Sequence, residues 1–256
     1  MKANAIILGS GTSNGVPTLG IDYPPAFLAN PKNHRTRSSC VLLGPTGNIL
    51  VDCAPEMRIQ MIRAGILDID AVIITHAHAD HIMGMDDVRA FCLKYKQAMP
   101  VYTAPRYQED IKRIFPYAFQ DFPEGIWVPR FDLLDVPEFI NEGGLHIETL
   151  WVDHGSIPCL ALRVGDFGYV TDVSHIPLKV WDRLKNLKTL VLDAVRIAPH
   201  PNHFHLAKAI EVAKNLDAET TFFTHLSDDY DHDLSEKQLP PNIRLAYDGL
   251  NIEITL

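Results

Sequence analysis

Apolar positions along this chain come in short blocks bounded by polar, glycine or proline residues. Ala5–Leu8, Ser39–Leu43, Asn48–Asp52, Ala71–Thr75, Val101–Thr103 and Leu145–Trp151 are strand-sized and rich in β-forming residues. Cys159–Val164, Tyr169–Thr171, Thr189–Asp193, Thr220–Thr224, Ile243–Tyr247 and Asn251–Thr255 continue the series. Helical patterning is confined to Pro55–Ala64, opened by a proline in its first turn, and to Arg106–Phe115, Pro177–Leu184 and His205–Asn215. Strands outnumber helices, and helices occur in both halves. That order predicts a single α/β domain over residues 1–256, with two sheets packed together and helices outside, rather than a doubly wound parallel sheet. The proline-rich stretch from Phe115 to Pro137 is expected to be a loop-dominated insertion over one face.

Composition narrows the class. With 256 residues, 46% hydrophobic and 21% charged, the chain can build one substantial core. Apolar runs such as Ala71–Ile74 and Thr189–Leu192 are too short to cross a bilayer, so no membrane partner is expected. Met1-Lys2-Ala3-Asn4 leads straight into a strand without a signal-peptide apolar region, which predicts a cytoplasmic protein. Cys40, Cys53, Cys92 and Cys159 lie far apart and form no CxxC pair, so they read as reduced, buried thiols. A formal charge of −9 argues against long nucleic acid as partner, yet leaves room for a small phosphate substrate if bound cations supply positive charge.

The candidate chemistry sits where strands end. Val72–Thr75 delivers His76, Leu150–Val152 delivers Asp153 and His154, Tyr169–Thr171 delivers Asp172, and Phe222–Thr224 delivers His225. A buried strand holds its end rigidly, as a metal site requires. One strand-end histidine is usually just a satisfied polar residue. His76, His78, Asp80 and His81 together, four donors within six residues, are hard to satisfy without a cation. Because a continuous helix cannot turn all four to one side, a loop wrapped around ions is expected.

The His76-Ala77-His78-Ala79-Asp80-His81 segment resembles the HxHxDH signature of the metallo-β-lactamase fold, and His154, Asp172 and His225 follow in the family's order. The resemblance covers essentially the whole chain and implies an αββα sandwich with two mixed sheets face to face. It further implies two divalent ions, Zn²⁺ or Mn²⁺: His76, His78 and His154 would bind one, and Asp80, His81 and His225 the other. Asp172 would bridge them, and a hydroxide held between the ions would be the nucleophile. The Gly9–Pro17 run resembles the first loop of the phosphodiesterase branch, which includes transfer-RNA 3′-processing nucleases and phosphoribosyl cyclic phosphate phosphodiesterases. Pro199–Phe204 resembles that branch's PHPxHF stretch, whose last histidine, here His203, serves as general acid. Asp80 and His203 are thus the candidate catalytic residues. Ser13, Asn14, Arg196 and His200 are candidate substrate contacts, and Asp52 and Asp248 are candidates to orient a ligating histidine.

Two departures matter. The phosphonate-pathway members hold an additional structural zinc with a cysteine trio and a later histidine. Here Gly20–Pro24 lacks cysteine and Asp228 takes the histidine position, so that zinc is expected to be absent. The acidic residues Asp228, Asp229, Asp231 and Asp233 form either a solvated loop or a rim that repels long polyanions. The leading expectation is a phosphodiesterase for a small cyclic-phosphate or nucleotide-like diester, with a homodimer implied by the family. The alternatives are a transfer-RNA 3′-processing type of endoribonuclease, an ester or thioester hydrolase, and a non-catalytic metal- and nucleotide-binding sensor.

Overall fold

The computed structural model describes residues 1–123 and 125–256. Its first sheet contains β1 (Lys2–Gly9), β2 (Ser39–Leu43), β3 (Asn48–Val51), β4 (Ala71–Ile73), β5 (Met99–Thr103) and β6 (Phe131–Asp135). The second contains β7 (Phe139–Glu142), β8 (Leu145–His154), β9 (Ile157–Val164), β10 (Phe167–Val170), β11 (Thr189–Asp193), β12 (Thr220–Thr224) and β13 (Ile243–Leu245). The last strand, β14 (Leu250–Thr255), returns to the first sheet beside β1. The orders are β14-β1-β2-β3-β4-β5-β6 and β13-β12-β11-β10-β9-β8-β7, each sheet antiparallel at one end and parallel at the other. The expected two mixed sheets with helices outside are therefore observed.

Strand composition follows from burial on both faces. Along β2 and β3, Cys40, Leu42, Ile49 and Val51 enter the core between the sheets, while Val41 and Leu50 enter a core under the helices. In β9, Leu160, Leu162 and Val164 face the inter-sheet core, and Cys159 and Ala161 the opposite helix layer. With neither face wet, the strands read as continuous apolar runs instead of alternating ones. A fully buried aliphatic side chain here stabilises the fold by about 1.5–3 kcal/mol.

The helices are α1 (Pro25–Ala29), α2 (Met57–Ala64), α3 (Ala79–Ile82), α4 (Arg89–Tyr95), α5 (Pro105–Ile114), α6 (Leu178–Trp181), α7 (Leu206–Leu216) and α8 (His232–Glu236). Helix α7 buries Ala209, Val212, Ala213 and Leu216, the spacing of one helical face. Helix α2 ends on Gly65 in the left-handed region (φ 68°), where its N–H caps the Met61 and Ile62 carbonyls.

Several expectations need correction. Pro55 lies in the turn before α2, which begins at Met57. The stretch from Phe115 to Pro137 is not merely a loop: β6 lies within it and pairs in parallel with β5, after a 3₁₀ turn at Pro116–Phe119. Residue 124 of that stretch falls outside the described residues. Strand β7 and helices α1 and α4 were not legible in the pattern, being short and weakly periodic. The four cysteines are free and buried, as expected. No helix among the described residues is long and apolar enough to cross a membrane.

Candidate metal centre

Strand ends converge at one edge of the sandwich. Past β4, Ile74 and Thr75 lead to His76, β8 ends on His154, Asp172 follows β10 after Thr171, and β12 leads directly to His225. Asp52 comes directly after β3, and Asp193 ends β11. Asp52, Asp172 and His225 hold left-handed backbone (φ 63°, 50° and 58°), which non-glycine residues adopt at a cost of order 1–3 kcal/mol. Strain of this kind persists where surrounding structure fixes a side chain for a purpose.

The segment from His76 to His81 is not the continuous loop expected. Ala79–Ile82 form one helical turn, α3, with His78 at its N-cap position and the His81 N–H bonded to the His78 carbonyl at 3.0 Å. Non-helical backbone thus presents His76 and His78, and helical backbone presents Asp80 and His81.

Two donor clusters result. In the first, His78 Nδ1 lies 2.9 Å from His76 Nε2 and 3.3 Å from His154 Nε2. In the second, Asp80 Oδ2 lies 3.3 Å from His81 Nε2 and 3.4 Å from His225 Nε2. Asp172 stands between them, with Oδ1 3.3 Å from His225 Nε2 and 3.9 Å from His76 Nε2, and Oδ2 3.4 Å from His81 Nε2. Separations near 3.3 Å match the edges of a tetrahedron whose corners lie about 2.0–2.1 Å from its centre, the ordinary metal–ligand distance. His81 Nε2 is buried without a hydrogen-bond partner. Three ring nitrogens meeting in the first cluster would repel through their lone pairs unless a proton or cation lay among them. The donor sets suit divalent ions.

The ring nitrogens facing the clusters are selected from behind. Asp52, wholly buried, accepts from the Thr75 N–H (2.8 Å), the Thr75 hydroxyl (2.8 Å) and His81 Nδ1 (2.7 Å). The Thr75 hydroxyl, having donated to Asp52, is left to accept from His76 Nδ1 at 3.1 Å. His154 Nδ1 donates to the Asn202 carbonyl at 2.8 Å. His76 and His154 therefore each turn an unprotonated Nε2 inward, and His81, held through Nδ1, turns its Nε2 inward as well, an assignment made from the acceptors. The role expected of Asp52 is observed; that of Asp248 is not. Asp248 accepts from the backbone and hydroxyls of Ser10 and Thr36, tying two loops together and touching no clustered histidine.

The clusters differ electrostatically. Burial lowers the pKa of His76, His78 and His154, further depressed at His76 by neighbouring His81. Burial also opposes charge on His81 and His225, but Asp172 and its fellow carboxylates outweigh it. His81 stands well above its ordinary value and His225 is raised to about 9. Asp80 and Asp172 are held far below the usual carboxylate range: burial alone would raise them, but the adjacent imidazoles prevail, His81 for Asp80 and His225 with His81 for Asp172.

His203 stands beside both clusters, its ring 4.5 Å from that of His154 and stacked 4.8 Å from that of His225. Its Nδ1 bonds Asp193 Oδ2 at 2.8 Å, and the same oxygen accepts the Val173 N–H at 3.0 Å. Helix α7 has His205 at its N-cap, so His203 does no capping. Asp193 was missed in the sequence, although it ends an apolar strand as the other site residues do.

The remaining candidates divide. The Ser10–Thr12 segment is laced to Leu226, next to His225, which brings exposed Ser13 and Asn14 to the rim of the site. Among the described residues their backbone N–H groups have no partner. His200 lies 4.8 Å from the His203 ring, whereas the Arg196 guanidinium is spent on the Ala198 and Pro199 carbonyls, bracing its own loop. The acidic run is not a freely solvated loop. Asp228 accepts from the Tyr23 hydroxyl (2.5 Å), Asp229 from the Ile197 N–H (3.0 Å), and Asp231 caps α8. Tyr23 and Asp228 thus fasten the first loop to the segment after His225, at the positions where a zinc site was expected to be missing.

Comparison with known proteins agrees with this fold. Residues 47–226 match the model of a beta-lactamase superfamily domain. A solved diphosphatase from the PhnP family superposes with a TM-score of 0.91 at 36% identity, covering 99% of this chain and 98% of that one. An octanoyltransferase of Porphyromonas gingivalis is 32% identical over 96% of this chain, and a ribonuclease Z of Clostridium novyi 30% identical over 70%. The chain spans 50% and 58% of those two proteins' lengths.

Proposed function

We propose a function on the premise that the chain belongs to the beta-lactamase superfamily and is one of its metal-dependent hydrolases: it cleaves a small phosphodiester, of the cyclic-phosphate or nucleotide-like kind. The observation that carries this reading is the pair of donor clusters sharing Asp172, with the His203–Asp193 pair beside them. In this reading His76, His78 and His154 hold one divalent ion and Asp80, His81 and His225 a second, with Asp172 common to both.

Bound there, two ions, Zn²⁺ or Mn²⁺, would polarise a phosphoryl oxygen and acidify an attacking water. The chain's own residues do the rest. An alkoxide leaves a phosphodiester poorly unless a proton reaches it as the bond breaks. Asp193 engages Nδ1 of His203, so Nε2 is the nitrogen that offers that proton. The N–H groups of Ser13 and Asn14, unpartnered among the described residues, are suited to phosphate oxygens, and His200 lies beside His203. Asp80 would help hold the second ion, with His81 and His225. Arg196, committed to its own loop, drops out as a direct contact.

Relatives named ribonuclease Z favour one second reading, cleavage of RNA. Against it stands the formal charge of −9, which offers no footprint for a long polyanion. Purified protein supplied with Mn²⁺ is expected to hydrolyse bis(p-nitrophenyl) phosphate. A panel of cyclic nucleotides, ribose cyclic phosphates and short RNAs then separates the two readings. Metal-loaded protein inert toward every diester would sink both.

A further inference from the structure

One short segment touches both the first cluster and the proton donor. The Asn202 carbonyl accepts from His154 Nδ1 at 2.8 Å, while the next residue, His203, is fixed to Asp193. Phe204, buried, is held by its backbone on both sides: its N–H donates to the Val173 carbonyl (2.7 Å), and its own carbonyl accepts from the Val195 N–H (2.9 Å). Three successive residues are therefore anchored on three different strand ends. The Asn202 side chain, in turn, lies against Gly155, the residue after His154. A Cβ on Gly155 would collide with the Asn202 carboxamide, 2.7 Å from Cγ, and Gly155 holds a left-handed φ of 59°.

We propose that Asn202 and Gly155 are positioning residues through which the segment from Asn202 to Phe204 sets His154 and His203 as one unit, so that the first metal cluster and the proton donor are aligned or misaligned together. This rests on the phosphodiesterase reading only for the role of His203. A displaced Asn202 carbonyl frees His154 to turn or change tautomer, and the same backbone movement carries His203 off Asp193. Outer partners of ligating histidines typically govern metal affinity by about 10–100-fold.

The test uses Gly155→Ala, Asn202→Ala and the double variant. Zn²⁺ affinity is read by competition with a chromophoric chelator, and His154 and His203 by their ring ¹⁵N resonances. Gly155→Ala is expected to weaken the first bound Zn²⁺ roughly tenfold and to shift both histidines' resonances. Adding Asn202→Ala, which removes the collision, should restore affinity and resonances together. Two results would overturn the coupling: a loss of affinity with His203 unmoved, or a double variant as impaired as the single, which would assign the damage to strain at Gly155. If Gly155→Ala does not fold, folding of the double variant supports the contact, and failure of both confines Gly155 to the hairpin turn and rejects the proposal. Wild-type protein unable to cleave diesters would count against the functional reading alone, since affinity and resonances still decide the coupling.

Discussion

The two donor clusters both gather imidazoles, to opposite effect. The first is three imidazoles whose pKa values burial lowers, so each offers a lone pair near neutrality. The second buries two carboxylates among its imidazoles, and those imidazoles hold protons in the absence of a cation. Protonated His81 and His225 there act as substitutes for positive charge that the carboxylates demand. A buried carboxylate must be paired or hydrogen-bonded, or it will not stay ionised. One cluster is ready to receive an ion, and the other must give up protons first.

The largest effect should come from the residue common to both. Asp172→Ala is expected to remove activity by on the order of a thousandfold or more and to lower the content of both ions. His154→Ala and His225→Ala should each lose one ion per chain instead, and equal loss of both ions from either variant would erase the distinction between clusters.

Next comes His203, the proposed proton donor. His203→Ala should slow diesters with poor leaving groups about 10²–10⁴-fold while barely touching nitrophenyl esters, which depart without a proton. Equal losses on both would remove His203 from that role. Asp52→Asn is a smaller change, expected to weaken metal binding about 10–100-fold. The loss should be greater at the second cluster, because His81 bonds Asp52 directly and His76 only through Thr75.

The smallest effect is on stability. A histidine raised in the folded state contributes stability that is complete below its ordinary pKa and lost as pH climbs through the raised value. With His225 raised to about 9 and His81 also above its ordinary value, the chelator-treated protein should melt at lower temperature at pH 9.5 than at pH 6.5. Metal-loaded protein should show little of that decline, and a melting point independent of pH in chelator would contradict the charge difference between the clusters.

Much of this was legible in the sequence because burial and chemistry coincide. Ala71–Ile73 is apolar for lack of a wet face, and its end must therefore be rigid, so donors at His76 and beyond are informative. The turn α3 was not legible, since a four-residue turn that itself carries Asp80 and His81 shows no periodicity. Asp193 escaped notice because a single aspartate after Leu192 looks like an ordinary strand exit. Only the three-dimensional proximity of His203 gives it meaning. Asp248 and the Asp228–Asp231 run show the converse: carboxylates near a metal motif that serve loops, distinguishable only by whose N–H groups they accept.

The central claim, two ion sites joined through Asp172, is tested most directly by metal content. Apo protein saturated with Zn²⁺ or Mn²⁺, freed of excess by gel filtration and measured by mass spectrometry of the metal, should carry two ions per chain, and the Asp172→Ala variant less than one. A wild-type chain that saturates at one ion, or an Asp172→Ala variant that still holds two, would contradict it.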